Sequence, residues 1–170
     1  DLNVISQDTS SMSVEKRTET SGSLFTKADT KSLSIDNETK QHGSAIELGL
    51  SSQLDVDGEA LIAGSQVSGG DISLNAKKGL YVMSMHDEKQ SLKNQSKSYM
   101  LANKQALDQR YDRTVVKGGL TAAGKLNVHS SDGEVMIMGS DILGGNGMNI
   151  HAKEGISFIN DLDISESHQE

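Results

Sequence analysis

The sequence predicts an all-β fold: a right-handed parallel β-helix, a solenoid with about 20–22 residues per coil and polar strand or hairpin extensions. Three observations lead there. The 170-residue chain repeats itself with a period of about 75. Short alternating aliphatic runs return inside each repeat after 18–22 residues. Only 34% of residues are hydrophobic and only five are aromatic (Phe25, Tyr81, Tyr99, Tyr111 and Phe158), too few for a rounded core but enough for a thin, repeated one. Residues 1–170 read as one β-helical repeat segment of a longer protein, with large repeats at about 6–83 and 84–165.

Taken in chain order, residues 6–42 come first and are polar, rich in Ser, Thr, Lys and Gln. Ser11-Met12-Ser13-Val14-Glu15-Lys16 returns as Ser84-Met85-His86-Asp87-Glu88-Lys89, Phe25 as Tyr99, Ala28 as Ala102 and Leu33 as Leu107. Ser and Thr favour extended chain, so strands are expected here, paired as protruding hairpins or continuing the solenoid. The competing reading is a helix face in 97–111, built from Met100, Leu101, Ala102, Ala106, Leu107 and Tyr111.

Residues 43–83 carry glycines and alternating aliphatics. Leu54 and Val56 recur as Ile72 and Leu74, 18 later; Ala60 and Ile62 recur as Leu80 and Val82, 20 later. In an x-φ-x-φ-x run alternate residues face one side, so each run is a strand of three to five residues. Asp57-Gly58, Asp132-Gly133 and Asn146-Gly147 punctuate the runs, and such residues tolerate the left-handed backbone of sharp corners. Three strands and three corners make one coil, and stacked coils pair strands in parallel over an aliphatic ladder.

Residues 84–117 are the second polar segment, with seven basic and four acidic residues, a net of +3. Residues 118–165 repeat the glycine frame: Gly43 returns as Gly118, Gly64-Ser65 as Gly139-Ser140 and Gly69-Gly70 as Gly144-Gly145. Here Leu126 and Val128 recur as Met148 and Ile150, Val135 and Ile137 as Ile156 and Phe158, and Ile142 is followed by Leu162 and Ile164. Residues 118–170 hold two basic and eight acidic residues, a net of −6. An antiparallel sandwich or barrel does not require this recurrence of paired aliphatics.

Composition excludes several functions. Without Cys there is no disulfide scaffold, zinc ribbon or cysteine nucleophile. The net charge of −8 opposes nucleic-acid binding. No apolar run reaches the length of a membrane span, and Asp1-Leu2-Asn3 does not open a signal peptide. Catalytic chemistry is sparse, so no catalytic, cofactor-binding or metal residue and no cofactor is assigned. The five histidines (His42, His86, His129, His151 and His168) are scattered, although His129 and His151, 22 apart, would lie one coil apart as a surface pair. Gly144-Gly145-Asn146-Gly147 lacks the Asp of a calcium nonapeptide, with Asn149 in its place. Asp55-Val56-Asp57-Gly58-Glu59 lacks the first and twelfth ligands of an EF-hand, because Gln53 and Gly64 stand there. A carbohydrate-active β-helix would need clustered acids and arginines. Asp55 and Asp71 are the nearest approach to a carboxylate pair, and the three arginines (Arg17, Arg110 and Arg113) all lie in polar segments. Asn37-Glu38-Thr39 and Asn94-Gln95-Ser96 fit the glycosylation pattern by chance. Lys89, Lys93, Lys97 and Lys104 are a solvated face or a contact for anionic surfaces such as lipopolysaccharide.

The run from Gly64 through Gly69-Gly70 and Ala76-Lys77 to Gly79-Leu80, and its copy from Gly139 to Gly155-Ile156, resemble the hemagglutinin repeats of filamentous-hemagglutinin-like exoproteins of Gram-negative bacteria. Alternation with Ser/Lys/Gln-rich stretches looks most like the second repeat type, found toward the toxin end of contact-dependent growth inhibition exoproteins. The resemblance covers nearly the whole chain and departs from the usual cassette at Asn146-Gly147, where Asp is commoner and one residue is inserted. It implies two-partner secretion, a place on the bacterial cell surface or outer membrane, and a role in adhesion or in toxin delivery to a neighbouring cell. Implied partners are the target cell's outer-membrane surface or a receptor there, and the adjoining repeats and toxin domain of the same chain. Absence of Cys and Pro suits export unfolded, because no disulfide or slow proline isomer has to form outside.

Overall fold

Alternation of small aliphatics with polar residues makes short strands, and long runs of Ser, Thr and charged residues make long ones. In a computed structural model, which describes residues 1–22, 27–99 and 102–169, the described residues form eighteen strands and no helix. The chain is all-β. It begins with β1 (Leu2–Ile5) and the long strands β2 (Gln7–Ser21) and β3 (Ala28–His42). Six short strands follow: β4 (Ala45–Glu47), β5 (Ser51–Val56), β6 (Glu59–Ala63), β7 (Gln66–Gly69), β8 (Asp71–Ala76) and β9 (Gly79–Met83). A second long pair, β10 (Met85–Tyr99) and β11 (Ala102–Val116), precedes six more: β12 (Gly119–Ala122), β13 (Leu126–Ser130), β14 (Glu134–Met138), β15 (Asp141–Gly144), β16 (Met148–Ala152) and β17 (Gly155–Ile159). The last strand is β18 (Ile164–Gln169).

The strands fall into two compact units. Unit 1 comprises Asp1–Asp8, Gln41–His86 and Val115–Leu162; unit 2 comprises Thr9–Lys40, Asp87–Thr114 and Asp163–Glu170.

In unit 1, each run of three short strands gives one strand to each of three parallel sheets, ordered β1-β6-β9-β14-β17, β4-β7-β12-β15 and β5-β8-β13-β16. One such run is a rung. Registers put like on like: Ala60, Leu80, Val135 and Ile156 stand in one column, and Ile62, Val82, Ile137 and Phe158 in the next. Backbone bonds carry the ladder through the corners, as in Gly70 N to Gly49 O and Gly145 N to Ala122 O. Ile62, Ile72, Leu74, Leu80, Leu120, Leu126, Val82, Val128 and Val135 are fully buried. Each such side chain contributes roughly 1.5–3 kcal/mol relative to leaving it in water.

Two expected pairings change. Leu54 and Val56 stand opposite Leu74 and Ala76, 20 residues on, instead of Ile72 and Leu74. The shift is two residues, so the same side chains still face the core, and alternation alone cannot detect it. Ile142 has no rung-mate at Leu162 or Ile164: Leu162 lies outside the strands, and Ile164 belongs to β18 in unit 2.

The corner glycines also differ from expectation. Among the described residues no non-glycine has positive φ, and neither Gly58, Gly133 nor the pairs Gly69-Gly70 and Gly144-Gly145 do. Gly70 and Gly145 are needed for close stacking instead, since an added Cβ would lie 2.2 Å from Leu50 O and 2.3 Å from Ala123 O. Positive φ falls instead at Gly22, Gly64, Gly139, Gly147 and Gly155, and Gly64 and Gly139, 75 residues apart, share a φ of 54°. Asn146-Gly147 is a corner of the expected kind, with Gly147 at φ 121°.

Unit 2 is an antiparallel sheet, ordered β18-β11-β10-β3-β2. The polar segments are therefore strands, and the helix face expected as the alternative is β11 in its described part; Met100 and Leu101 lie outside the described residues. Nor do the segments extend the parallel ladders, because their long strands pair antiparallel with each other. β10 lies on β3 with Leu92 opposite Ile35 and Lys89 opposite Glu38, and β18 lies on β11 in the same sense. Such cross-strand pairs hold a sheet that has few apolar residues. The internal copies are also offset differently from the sequence alignment. β2 and β10 begin at Gln7 and Met85, 78 apart, so Ser84 precedes β10 while Ser11 lies inside β2. β3 and β11 begin at Ala28 and Ala102, 74 apart, which keeps Leu33 equivalent to Leu107. Phe25, aligned with Tyr99, lies outside the described residues.

Candidate functional site

The parallel registers of unit 1 arrange its outward side chains in columns. One column runs Asp55, Asn75, His129, His151 across β5, β8, β13 and β16. Asn75 Nδ2 donates to Asp55 Oδ1 at 2.7 Å, and Gln53 Nε2 donates to Asp55 Oδ2 at 2.8 Å. The expected neighbours His129 and His151 are in register, with ring centroids 5.0 Å apart and planes 30° apart.

Asp55 and Asp71 do not form a carboxylate pair. Asp71 stands opposite Ser51, four residues along from Asp55, about 13 Å at ~3.3 Å per residue. Asp71 instead accepts from the backbone N–H of Lys125 at 2.7 Å. Two acids cannot share the acid and base roles of glycoside cleavage at that separation.

A polar cluster absent from the sequence reading joins residues 75 or more apart. Ser84 Oγ donates to Asp161 Oδ2 at 2.5 Å, and His86 Nε2 lies 2.6 Å from the same oxygen. Burial alone would raise the Asp161 pKa, but hydrogen bonds from Ser84 and His86 outweigh it and hold the carboxyl below its ordinary value. The residue types are those of a nucleophilic triad, yet the order is wrong. A serine nucleophile needs the imidazole between hydroxyl and carboxylate. Here the carboxylate is in the middle, and Ser84 is 2% exposed. The cluster is a clasp on the backbone, without a base for the hydroxyl. No local motif announces it, because its members are contiguous only after the rungs stack.

In unit 2, Lys89, Lys93 and Lys97 share one face of β10, being four residues apart on a strand of period two. That face is electrostatically mixed. Ser91, with Ser34, Lys93 and Lys89 adding to it, holds the Asp36 carboxyl below its ordinary value. Asp112 is held low by Ser165 first and by Arg110, whose Nε lies 2.7 Å from it. Lys104 is exposed on β11. Overall, unit 1 has five basic and twelve acidic residues, a net of −7, and unit 2 has eleven and twelve, a net of −1. A groove of about 560 Å³ in unit 2 is lined by Ile35, Leu92 and Tyr111 and by the carboxamides of Asn37, Gln90 and Gln109. Tyr111 donates to Glu88 at 3.3 Å, and burial followed by the Glu88 charge raises its pKa.

Among the described residues no three or more His, Asp or Glu side chains gather where they could hold one metal ion. No helix among them is long and apolar enough to cross a membrane. These surfaces offer columns, clasps and sheet faces, the equipment of a repeated scaffold. No curated protein and no solved structure matches the chain. Residues 2–100, more than half of it, match the family described as the hemagglutinin repeat, a structural, adhesin-type module of filamentous-hemagglutinin-like exoproteins that is not an enzyme family. The chain belongs to the hemagglutinin repeat family.

Proposed function

We propose that the chain is a structural and delivery segment of a two-partner-secreted bacterial surface exoprotein, one that carries a contact-dependent growth inhibition toxin to neighbouring cells. Membership of the hemagglutinin repeat family supports the coarser part, a repeat of a secreted surface exoprotein. The finer part rests on one observation: rungs of stacked parallel strands alternate with long polar strands, twice along the chain. That alternation is the trait of the second repeat type.

On this reading unit 1 is a right-handed parallel β-helix, residues 1–170 are one segment of it in two large repeats, and the polar strands are its extensions. A β-helix grows in length without enlarging its core, which suits a stalk that must reach another cell. Its partners are the target cell's outer-membrane surface or a receptor there, and the adjoining repeats and toxin domain of the same polypeptide. It does not act on nucleic acid.

Co-culture tests the proposal. Donor cells display the full exoprotein with or without this segment, and surface display, attachment and survival of susceptible neighbours are measured. A delivery segment, when removed, leaves display and attachment intact and abolishes inhibition. Loss of attachment instead supports the second reading, an adhesin stalk, which family membership also favours. Unchanged inhibition overturns the delivery role. A carbohydrate-active enzyme is the weakest alternative, since Asp55 and Asp71 stand apart; glycan cleavage lost in Asp55→Ala would restore it.

A further inference from the structure

We propose that His129 and His151 form a binding site for a borderline divalent cation such as Zn²⁺, Ni²⁺ or Cu²⁺, which clips β16 to β13. The two residues are register partners on adjacent parallel strands, so the backbone ladder holds their side chains side by side. Their rings stack at 5.0 Å. Among the described residues, no hydrogen bond or ion pair engages either imidazole. Each neutral ring therefore has one nitrogen lone pair to give.

Coordination distances fit this spacing. Zinc and its neighbours bind imidazole nitrogen at about 2.0–2.1 Å, so one ion spans nitrogens up to about 4 Å apart. With ring centroids 5.0 Å apart, the site requires the two rings to turn their facing edges together about their side-chain torsions. Water completes the remaining positions. Imidazole donors select Zn²⁺, Ni²⁺ and Cu²⁺, whereas Ca²⁺ and Mg²⁺ require several oxygens.

The surroundings suit a cation. Along the same face the flanking register pair is Asn127 and Asn149, both uncharged. Lys153, two residues beyond His151, has its ammonium 3.1 Å from Asp132, which offsets its charge. On the other side of His129 the column continues to Asn75 and Asp55. The unit carries a net charge of −7, which raises the local concentration of cations. The clip would join β16 to β13, which are neighbours in one parallel sheet.

Calorimetric titration of the whole 170-residue chain with ZnCl₂ and NiCl₂, with CaCl₂ and MgCl₂ alongside, tests the site. The expected result is one saturable Zn²⁺ or Ni²⁺ per chain, silence for Ca²⁺ and Mg²⁺, and a melting temperature raised by the metal. In NMR spectra the ring protons of His129 and His151 shift while those of His42, His86 and His168 do not. His129→Asn and His151→Asn keep the column polar, as Asn75 already does. Each should weaken binding at least as much as losing a ligand's supporting hydrogen bond, roughly 10- to 100-fold. Absence of saturable binding, equal binding by the double variant, or one ion shared between two chains in analytical centrifugation would overturn the proposal.

Discussion

Gly64 and Gly139 illustrate how single residues govern this chain. At φ 54° each would place a Cβ against neighbours: 2.7 Å from Ser6 Oγ and 2.8 Å from Met85 at Gly64, and 2.4 Å from Asp161 at Gly139. Gly64→Ala and Gly139→Ala should each lower the unfolding free energy by about 1–3 kcal/mol in urea titrations, from backbone strain plus crowding. Gly49→Ala, with open space around it, should be nearly neutral and serves as control. Asp161 gives a second test. Its folded-state pKa is lowered, so the stability it contributes is present above its unfolded pKa and is lost as pH falls through the lower folded value. Urea unfolding from pH 6 downward should show an acid limb that is shallower in Asp161→Asn than in the parent. Asp161→Ala should cost more at pH 7, about 1–3 kcal/mol, by leaving the buried Ser84 hydroxyl without its acceptor. Of these groups, the glycines were legible as repeat markers. The clasp was not, since Ser84 and Asp161 are 77 positions apart and meet only through the stacked rungs.

Strand position decides how much a core side chain contributes. Leu74 stands between Leu54 and Val128 and is fully buried. Phe158 occupies an equivalent inward-facing place on β17 but has a neighbour strand on one side alone, and it is 66% exposed. Leu74→Ala should therefore cost about 2–5 kcal/mol, whereas Phe158→Ala should fall well below the usual cost for a buried aromatic. Chemical denaturation of both variants checks the order, and equal losses would contradict the ladder. The paired aliphatics of Ala60/Ile62 with Leu80/Val82 and of Leu126/Val128 with Met148/Ile150 were readable from spacing, because side chains of one column share a chemistry. Leu54 pairs with Leu74 and not with Ile72, a slip that alternation cannot reveal, because moving a parallel strand by two residues leaves its inward set inward. The long strands could not be separated from a helix by composition, since their Lys and Gln favour helix while their Ser and Thr favour extended chain. Pairing across the sheet, as of Leu92 with Ile35, settles their state.

At the scale of the molecule, the two units divide both the core and the charge. The buried aliphatic cluster, from Val4 to Ile137, belongs entirely to unit 1. Every residue of β2, which lies in unit 2 from Thr9 on, is exposed. Native-state hydrogen exchange should accordingly be slowest in β8, β9 and β13 and much faster in β2, because opening free energy follows buried apolar contact. Equal protection in both would show that the antiparallel sheet has support beyond its own cross-strand pairs. The sequence by itself determined the all-β class, the family and most of the spacing of the aliphatic columns, because each depends on local alternation and on recurrence along the chain. Only the tertiary structure decided that the polar segments form their own antiparallel sheet, that Asp55 and Asp71 stand apart, and that Ser84, His86 and Asp161 meet. Those outcomes depend on strand direction and register, which are set by hydrogen bonds between segments far apart in sequence.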